Sequence, residues 1–252
     1  MYYDEVQLLT ISTTIYRLIC DLALEHIPNS VHLWKETVNL DLETSPVDAR
    51  ILLSRAVEVI PLSVELWLAL ARLETPENTK AVLNKARKAM PTSHEIWIAA
   101  GRFIEQEAYA VKLSEEKRTE ELDHVDKTLT TAVRTLCAHG VLLTRERWVK
   151  EAERCEAEGA PRRCEAIVSA TVAMDVEEED HFATWLGDTE AAETCGHVGT
   201  AHAVLAFALC VFPDRRDLWR RAADLEKAHG NHESLDKLLA CAVECCPQAE
   251  VL

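Results

Sequence analysis

One spacing constrains this chain more than any other. An alanine is followed five residues later by a proline at Ala23/Pro28, Ala56/Pro61, Ala86/Pro91, Ala208/Pro213 and Ala242/Pro247. In the first four copies a tryptophan stands six residues beyond the proline, at Trp34, Trp67, Trp97 and Trp219. Such a recurrence marks a tandem array in which each copy buries what its neighbour leaves open.

The stretch from Pro61 to Met90 shows what one copy does. Ser63 stands where a helix N-cap belongs, with its hydroxyl positioned to accept a free backbone N–H, and Glu65 in the first turn meets the positive end of the helix dipole. Leu66, Trp67, Leu70 and Leu73 then recur at the spacing of one buried helical stripe. Thr75-Pro76-Glu77-Asn78 opens a second helix, with proline where its missing N–H costs nothing. That helix carries Ala81, Val82, Leu83, Ala86 and Met90 on its apolar side until Pro91 stops it. Two helices with so short a connection are antiparallel. The expectation is an all-α chain, a right-handed α-solenoid of antiparallel helix pairs, each with an A-helix holding the tryptophan and a B-helix holding the alanine.

Read this way, residues 1–252 form one array. Residues 1–27 are a partial repeat, with Ile15, Leu18, Ile19, Leu22 and Ala23 on the stripe of a B-helix. Full repeats cover 28–60, where Leu33, Trp34, Val38 and Leu42 point inward, and 61–90. The repeat at 91–138 carries an insertion near 106–124, because Trp97 to Trp148 spans 51 residues against 33 for Trp34 to Trp67. Its helix formers and alternating charge favour a helical extension over a solvated loop. Degenerate repeats at 139–175 and 176–212 keep Trp148 and Trp185 but lack the proline before them. A repeat at 213–246 and a truncated one at 247–252 follow, so both ends are expected to lie inside a longer array.

Composition narrows the function. A net charge of −16 opposes a surface built to grip phosphate backbone and favours protein partners. The longest uncharged apolar run, Ala203 to Phe212, is about half of the ~20 residues a membrane span needs, and no secretory signal is visible, so an intracellular location is expected. Cys20, Cys137, Cys210, Cys241 and Cys245 fall where a B-helix wants a small apolar residue and are expected to pack as such.

Glu177-Glu178-Glu179-Asp180 reads as acids at a helix N-terminus rather than a metal cluster. His197 with His202, and His229 with His232, read as solvated or capping histidines, with no third ligand at fixed spacing. Neither a Gly-x-Ser-x-Gly turn, a glycine-rich phosphate loop nor a paired CxxC is present. No enzyme, cofactor, metal or small-molecule substrate is therefore expected. Arg215, Arg216, Arg220 and Arg221 form the densest basic group, an ordinary solvated face or a contact for RNA or an acidic partner.

An apolar residue followed by glutamate late in the A-helix (Leu42-Glu43, Leu73-Glu74, Ile104-Glu105, Leu225-Glu226), with Arg55-Ala56 and Lys85-Ala86 in the B-helix, resembles the half-a-tetratricopeptide (HAT) repeat. Longer runs, among them Pro61-Leu-Ser-Val-Glu-Leu-Trp-Leu-Ala-Leu-Ala-Arg-Leu-Glu-Thr and Val82-Leu-Asn-Lys-Ala-Arg, are similar to the pre-mRNA-processing factor 6 family, from about residue 15 to the C-terminus. The resemblance implies a nuclear splicing scaffold. That family bridges small nuclear ribonucleoproteins in the tri-snRNP by contacts with spliceosomal proteins, RNA contact being minor or indirect. The alternative is an RNA-binding or regulatory HAT-repeat subunit of another RNA-processing complex.

Overall fold

A computed structural model describes residues 15–110 and 114–245. The described residues are helical, and they divide into two compact units, residues 1–103 and 104–252.

In the first unit a helix over 15–26 (α1) precedes α2 (Val31–Thr44), α3 (Pro46–Val59), α4 (Val64–Leu73) and α5 (Pro76–Ala89), and α6 (His94–Ala110) begins. In this unit α2 packs on α3, α3 on α4 and α4 on α5. Their joint core holds Leu24, Trp34, Val38, Leu53, Leu66, Trp67, Leu70 and Met90. Ser30 and Ser45 cap α2 and α3 through their hydroxyls, each accepting at 3.4 Å from a backbone N–H three residues on.

Several expectations need correction. Ser63 occupies the N-cap position of α4 but makes no side-chain capping bond, so Glu65 in the first turn is what favours that terminus electrostatically. Leu42 is exposed, because the buried place beside Val38 goes to Asp41, which pairs with Arg17. Ala81 is exposed as well, one residue before the half-buried Val82 and two before the buried Leu83. On α1, Ile15, Leu18, Ile19 and Leu22 are exposed, and burial falls to Cys20 and Leu24. The described residues supply a neighbour only on that side, where Leu24 joins the core of α2 to α4.

The second unit contains the end of α6, α7 (Glu115–Ala138), α8 (Arg145–Ala157), α9 (Pro161–Thr171), a single 3₁₀ turn (Glu178–Asp180), α10 (His181–Thr194), α11 (Val198–Val211), α12 (Arg216–His229) and α13 (His232–Cys245). The helix pairs α8/α9, α10/α11 and α12/α13 pack internally, and the B-type helices α7, α9 and α11 lie side by side. The segment near 106–124 is helical where described except at the extended Ser114, divided between the end of α6 and the first turns of α7. Val125, Leu129, Ala132 and Leu136 form the buried stripe of α7.

Gly140, at φ +75°, ends α7: its N–H bonds Cys137 O at 3.0 Å and the Val141 N–H bonds Leu136 O at 2.9 Å. That is the paired-bond stop that a left-handed residue permits. The same pair of bonds closes α8 at Gly159 and α10 at Gly196.

The cysteine expectation holds for Cys20 alone. Cys137, Cys210, Cys241 and Cys245 are exposed, because each lies off the stripe that its helix turns inward, one residue past Leu136 and two past Ala208 in the first two cases. The other buried described thiols are Cys155 and Cys164.

Candidate functional site

The residues singled out by the repeat spacing converge on the turns where a B-helix hands over to the next A-helix. The helix ends at the residue before proline, whose N–H makes the last helical bond to the repeat alanine. Ile27 bonds Ala23 O, Ile60 bonds Ala56 O, Met90 bonds Ala86 O and Phe212 bonds Ala208 O, each at 2.8 Å. Proline then forbids continuation. Its carbonyl, freed from the helix, accepts the indole N–H six residues later. Trp34 reaches Pro28 O at 2.8 Å, Trp67 reaches Pro61 O at 2.9 Å, Trp97 reaches Pro91 O at 3.2 Å and Trp219 reaches Pro213 O at 2.7 Å.

The Pro-to-Trp spacing is therefore a hydrogen bond that lets a large ring be buried with its one polar atom satisfied. All six tryptophans are buried, as are Ala56, Ala86, Ala208 and Ala242, with Ala23 half-buried. Pro247 lies outside the described residues. Where proline is missing, Trp185 bonds Val172 O at 3.0 Å, the carbonyl at the C-terminal end of α9, which also accepts Arg145 Nε at 3.1 Å.

The glutamates of the A-helices do something that spacing alone does not disclose. Glu105 and Glu156 stand eight residues after Trp97 and Trp148, whereas Glu74 and Glu226 stand seven after theirs. One residue turns a helical side chain by about 100°. At seven, Glu74 accepts from Asn78 at 3.2 Å and Glu226 from Ser234 at 2.6 Å within their own pairs, and Glu226 also meets His202 of the preceding pair. Glu105 and Glu156 reach across to the B-helix of the following pair, while Glu193, eight residues after Trp185, meets Arg221 and His229 on the A-helix α12. Glu105 accepts the Arg162 backbone N–H at 3.0 Å, and Glu156 accepts those of Gly199 at 2.6 Å and Thr200 at 2.9 Å.

Neither α9 nor α11 has a side-chain cap of its own, so these carboxylates satisfy free N-terminal donors and face the positive end of the dipole. A Cβ at Gly199 would lie 3.0 Å from the Glu156 carboxyl carbon, so the close approach depends on glycine there.

Glu105 also binds Arg163 Nε at 2.7 Å, with both side chains only 4% exposed, and Glu158 meets the same guanidinium at 3.2 Å. Burial opposes the charge on Arg163, but its hydrogen bond to the Glu105 carboxylate and the neighbouring groups hold its pKa above the ordinary value. Beside it, burial pushes the Cys155 thiol up to about 11 and that of Cys164 to about 12. These thiols are inert core groups.

The arginine group is dispersed. Arg215 lies over the Phe182 ring at 4.8 Å, and Arg221 pairs with Glu193, holding that carboxyl below its usual range. Arg216 and Arg220 are exposed. The histidines face carboxylates: His202 meets Glu226 and His229 meets Glu193, both at 3.4 Å. Glu177 to Asp180 are exposed ahead of α10. Among the described residues no cluster of potential metal ligands forms, and no helix is long and apolar enough to cross a membrane.

Paired helices with indoles bonded to the preceding turn define an all-α helical-repeat protein. The residues' similarity to the pre-mRNA-processing factor 6 family is matched by whole-sequence comparison. The chain is 48% identical over 125 residues to Pre-mRNA-splicing factor prp1 of Schizosaccharomyces pombe, an alignment covering 50% of this chain and 14% of that protein. It is 47% identical over 99 residues to human Pre-mRNA-processing factor 6, covering 39% and 10%, and 48% identical over 60 residues to Protein STABILIZED1 of Arabidopsis thaliana, covering 24% and 6%. The alignments thus span about a seventh or less of the relatives' own length. No family model matches the chain.

Proposed function

We propose that the chain is a nuclear, non-catalytic part of a pre-mRNA splicing scaffold, whose repeats bridge small nuclear ribonucleoproteins during tri-snRNP assembly by protein–protein contacts. The repeats are the units bounded at residues 28, 61, 91, 139, 176 and 213. The observation that carries this reading is 46–48% identity to proteins named as splicing factors. Two physical features support it in kind. The chemistry-bearing side chains of the second unit are spent on holding helices to each other, with Glu105, Glu156, Arg163 and Arg145 all internally bonded. A net charge of −16 favours protein over nucleic-acid contact.

Tagged chain incubated in nuclear extract tests the proposal. Co-precipitation of tri-snRNP proteins that survives nuclease treatment is expected. Recovery of no spliceosomal protein, or of RNA alone with a steep dependence on salt, would overturn it.

A further inference from the structure

In the second unit, α7, α9 and α11, with α12 and α13 beyond them, line a groove of about 460 Å³. Its apolar lining includes Ala203, Ala206, Phe207 and Leu238. Its edges are acidic, with Asp126 and Glu165 on one side and Glu226 on the other. The single guanidinium in the lining, Arg162, is divided among three carboxylates: Asp126, Glu165 at 3.3 Å and Asp123 at 3.5 Å. Negative charge is therefore in surplus along the groove. Asp126 Oδ1 and Arg162 Nε are also buried atoms without a hydrogen-bond partner. Burial raises the Asp126 carboxyl despite Arg162, a sign that its charge is under-compensated.

We propose that this groove binds a basic peptide segment of another protein, with a cationic side chain at the Asp126–Glu165 edge and apolar side chains on Ala203, Ala206 and Phe207. The volume lies within the range of sites that enclose a few side chains. Packed helices are about 8–10 Å apart. Crossing from the α9 edge to the α12 edge thus takes on the order of four to six extended residues. The acidic edges repel phosphate, which sets nucleic acid aside as the occupant. An ion pair serving only to fasten α7 to α9 accounts for Arg162 and Asp126 but leaves the exposed Glu165 and Ala206 without consequence, and the test exploits that. The proposal stands on the groove alone and does not depend on the splicing role.

Fluorescence anisotropy with the purified full chain decides it. The probes are a labelled peptide of about ten residues alternating Arg and Leu, the same peptide with Glu for Arg, and a single-stranded RNA of equal length. The Arg/Leu peptide should bind, and the other two should not. Glu165→Lys should weaken binding about fivefold or more. Ala206→Trp, which fills the groove, should weaken it about tenfold or more. Glu190→Lys, the same charge change on an exposed face of α10 outside the groove, should cost less than about twofold. Both groove substitutions sit at exposed positions, so their melting temperatures should match the parent. Failure of the Arg/Leu peptide to bind, unchanged affinity in both groove variants, equal loss in the Glu190→Lys control, or tighter binding of the RNA would each overturn the proposal.

Discussion

Both units use local caps, with Asn231 and the Trp219–Pro213 bond serving the second as the serines and indoles serve the first, but the second adds a distant kind. In residues 1–103 the caps are local: Ser30 and Ser45 bond N–H groups three residues ahead, and each indole bonds a carbonyl six residues behind. In residues 104–252 the N-termini of α9 and α11 are capped by Glu105 and Glu156, carboxylates 57 and 43 to 44 residues away. A local cap stabilises one helix, while a distant one also ties one helix pair to the next. The second arrangement makes neighbouring pairs interdependent, and it brings charge inside, because Glu105 carries Arg163 with it.

The largest test of that difference is a pair of substitutions compared by urea denaturation. Glu105→Ala strips the α9 terminus and leaves the buried Arg163 guanidinium with only the partly exposed Glu158, for an expected loss of about 3 kcal/mol. Ser45→Ala removes only a local cap, for about 1 kcal/mol. Equal losses would mean that the distant cap is no more than a surface contact. Replacing both members, Glu105→Leu with Arg163→Met, should recover much of the deficit, since an apolar pair of similar volume avoids the desolvation cost.

Next comes alkaline stability. Cys155 and Cys164 keep their protons in the fold up to about 11 and about 12, against an ordinary value of 9.0. Above pH 9 the unfolded chain binds fewer protons than the folded one, so stability falls as pH rises. The contribution is whole below pH 9 and is lost as pH climbs through 11 towards 12, on the order of 2 kcal/mol or more in all. Cys155→Ala with Cys164→Ala should flatten the decline between pH 9 and 11, and an unchanged slope would place the loss elsewhere. Thiol labelling mapped by mass spectrometry should modify Cys137, Cys195, Cys210, Cys241 and Cys245 well before these two.

How much of this was legible follows from the same contrast. The Ala–Pro–Trp spacing and the serine caps are bonds between residues at constant offsets, so they leave a periodic trace, and the helix pairs could be read from it. Glu105 and Glu156 leave a weaker one. Glu105 stood in the apolar-plus-glutamate signature, but whom its carboxylate serves has meaning only once the neighbouring pair is placed. Leu42 and the exposed cysteines went astray for a related reason. Both i+3 and i+4 lie near the face of Val38, and Asp41 rather than Leu42 ends up inside because Arg17 on α1 is there to meet it.

The proline turn itself can be dissected. Trp67→Phe keeps most of the ring but leaves the Pro61 carbonyl without its donor, for about 1–3 kcal/mol. Pro61→Ala keeps that carbonyl and loses only backbone restriction at an exposed residue, for about 1 kcal/mol or less. The order matters more than either figure: proline as costly as tryptophan would make the ring, and not the bond, the reason for the spacing.

The smallest effects separate the backbone from the packing, using two glycines with nothing within 4 Å of an added Cβ. Gly140 sits at φ +75° in the stop after α7, so Gly140→Ala should cost about 1 kcal/mol through strain alone. Gly187 lies inside α10, exposed, where alanine is the better helix former, so Gly187→Ala should add up to about 1 kcal/mol. Both changes add one methyl group to open space in the same unit, so contacts cancel and only the sign of φ distinguishes them. Shifts of the same sign in thermal melts would show that the α7 stop tolerates a side chain. In that case the glycine ends, unlike the proline turns, would be incidental to how the pairs are joined.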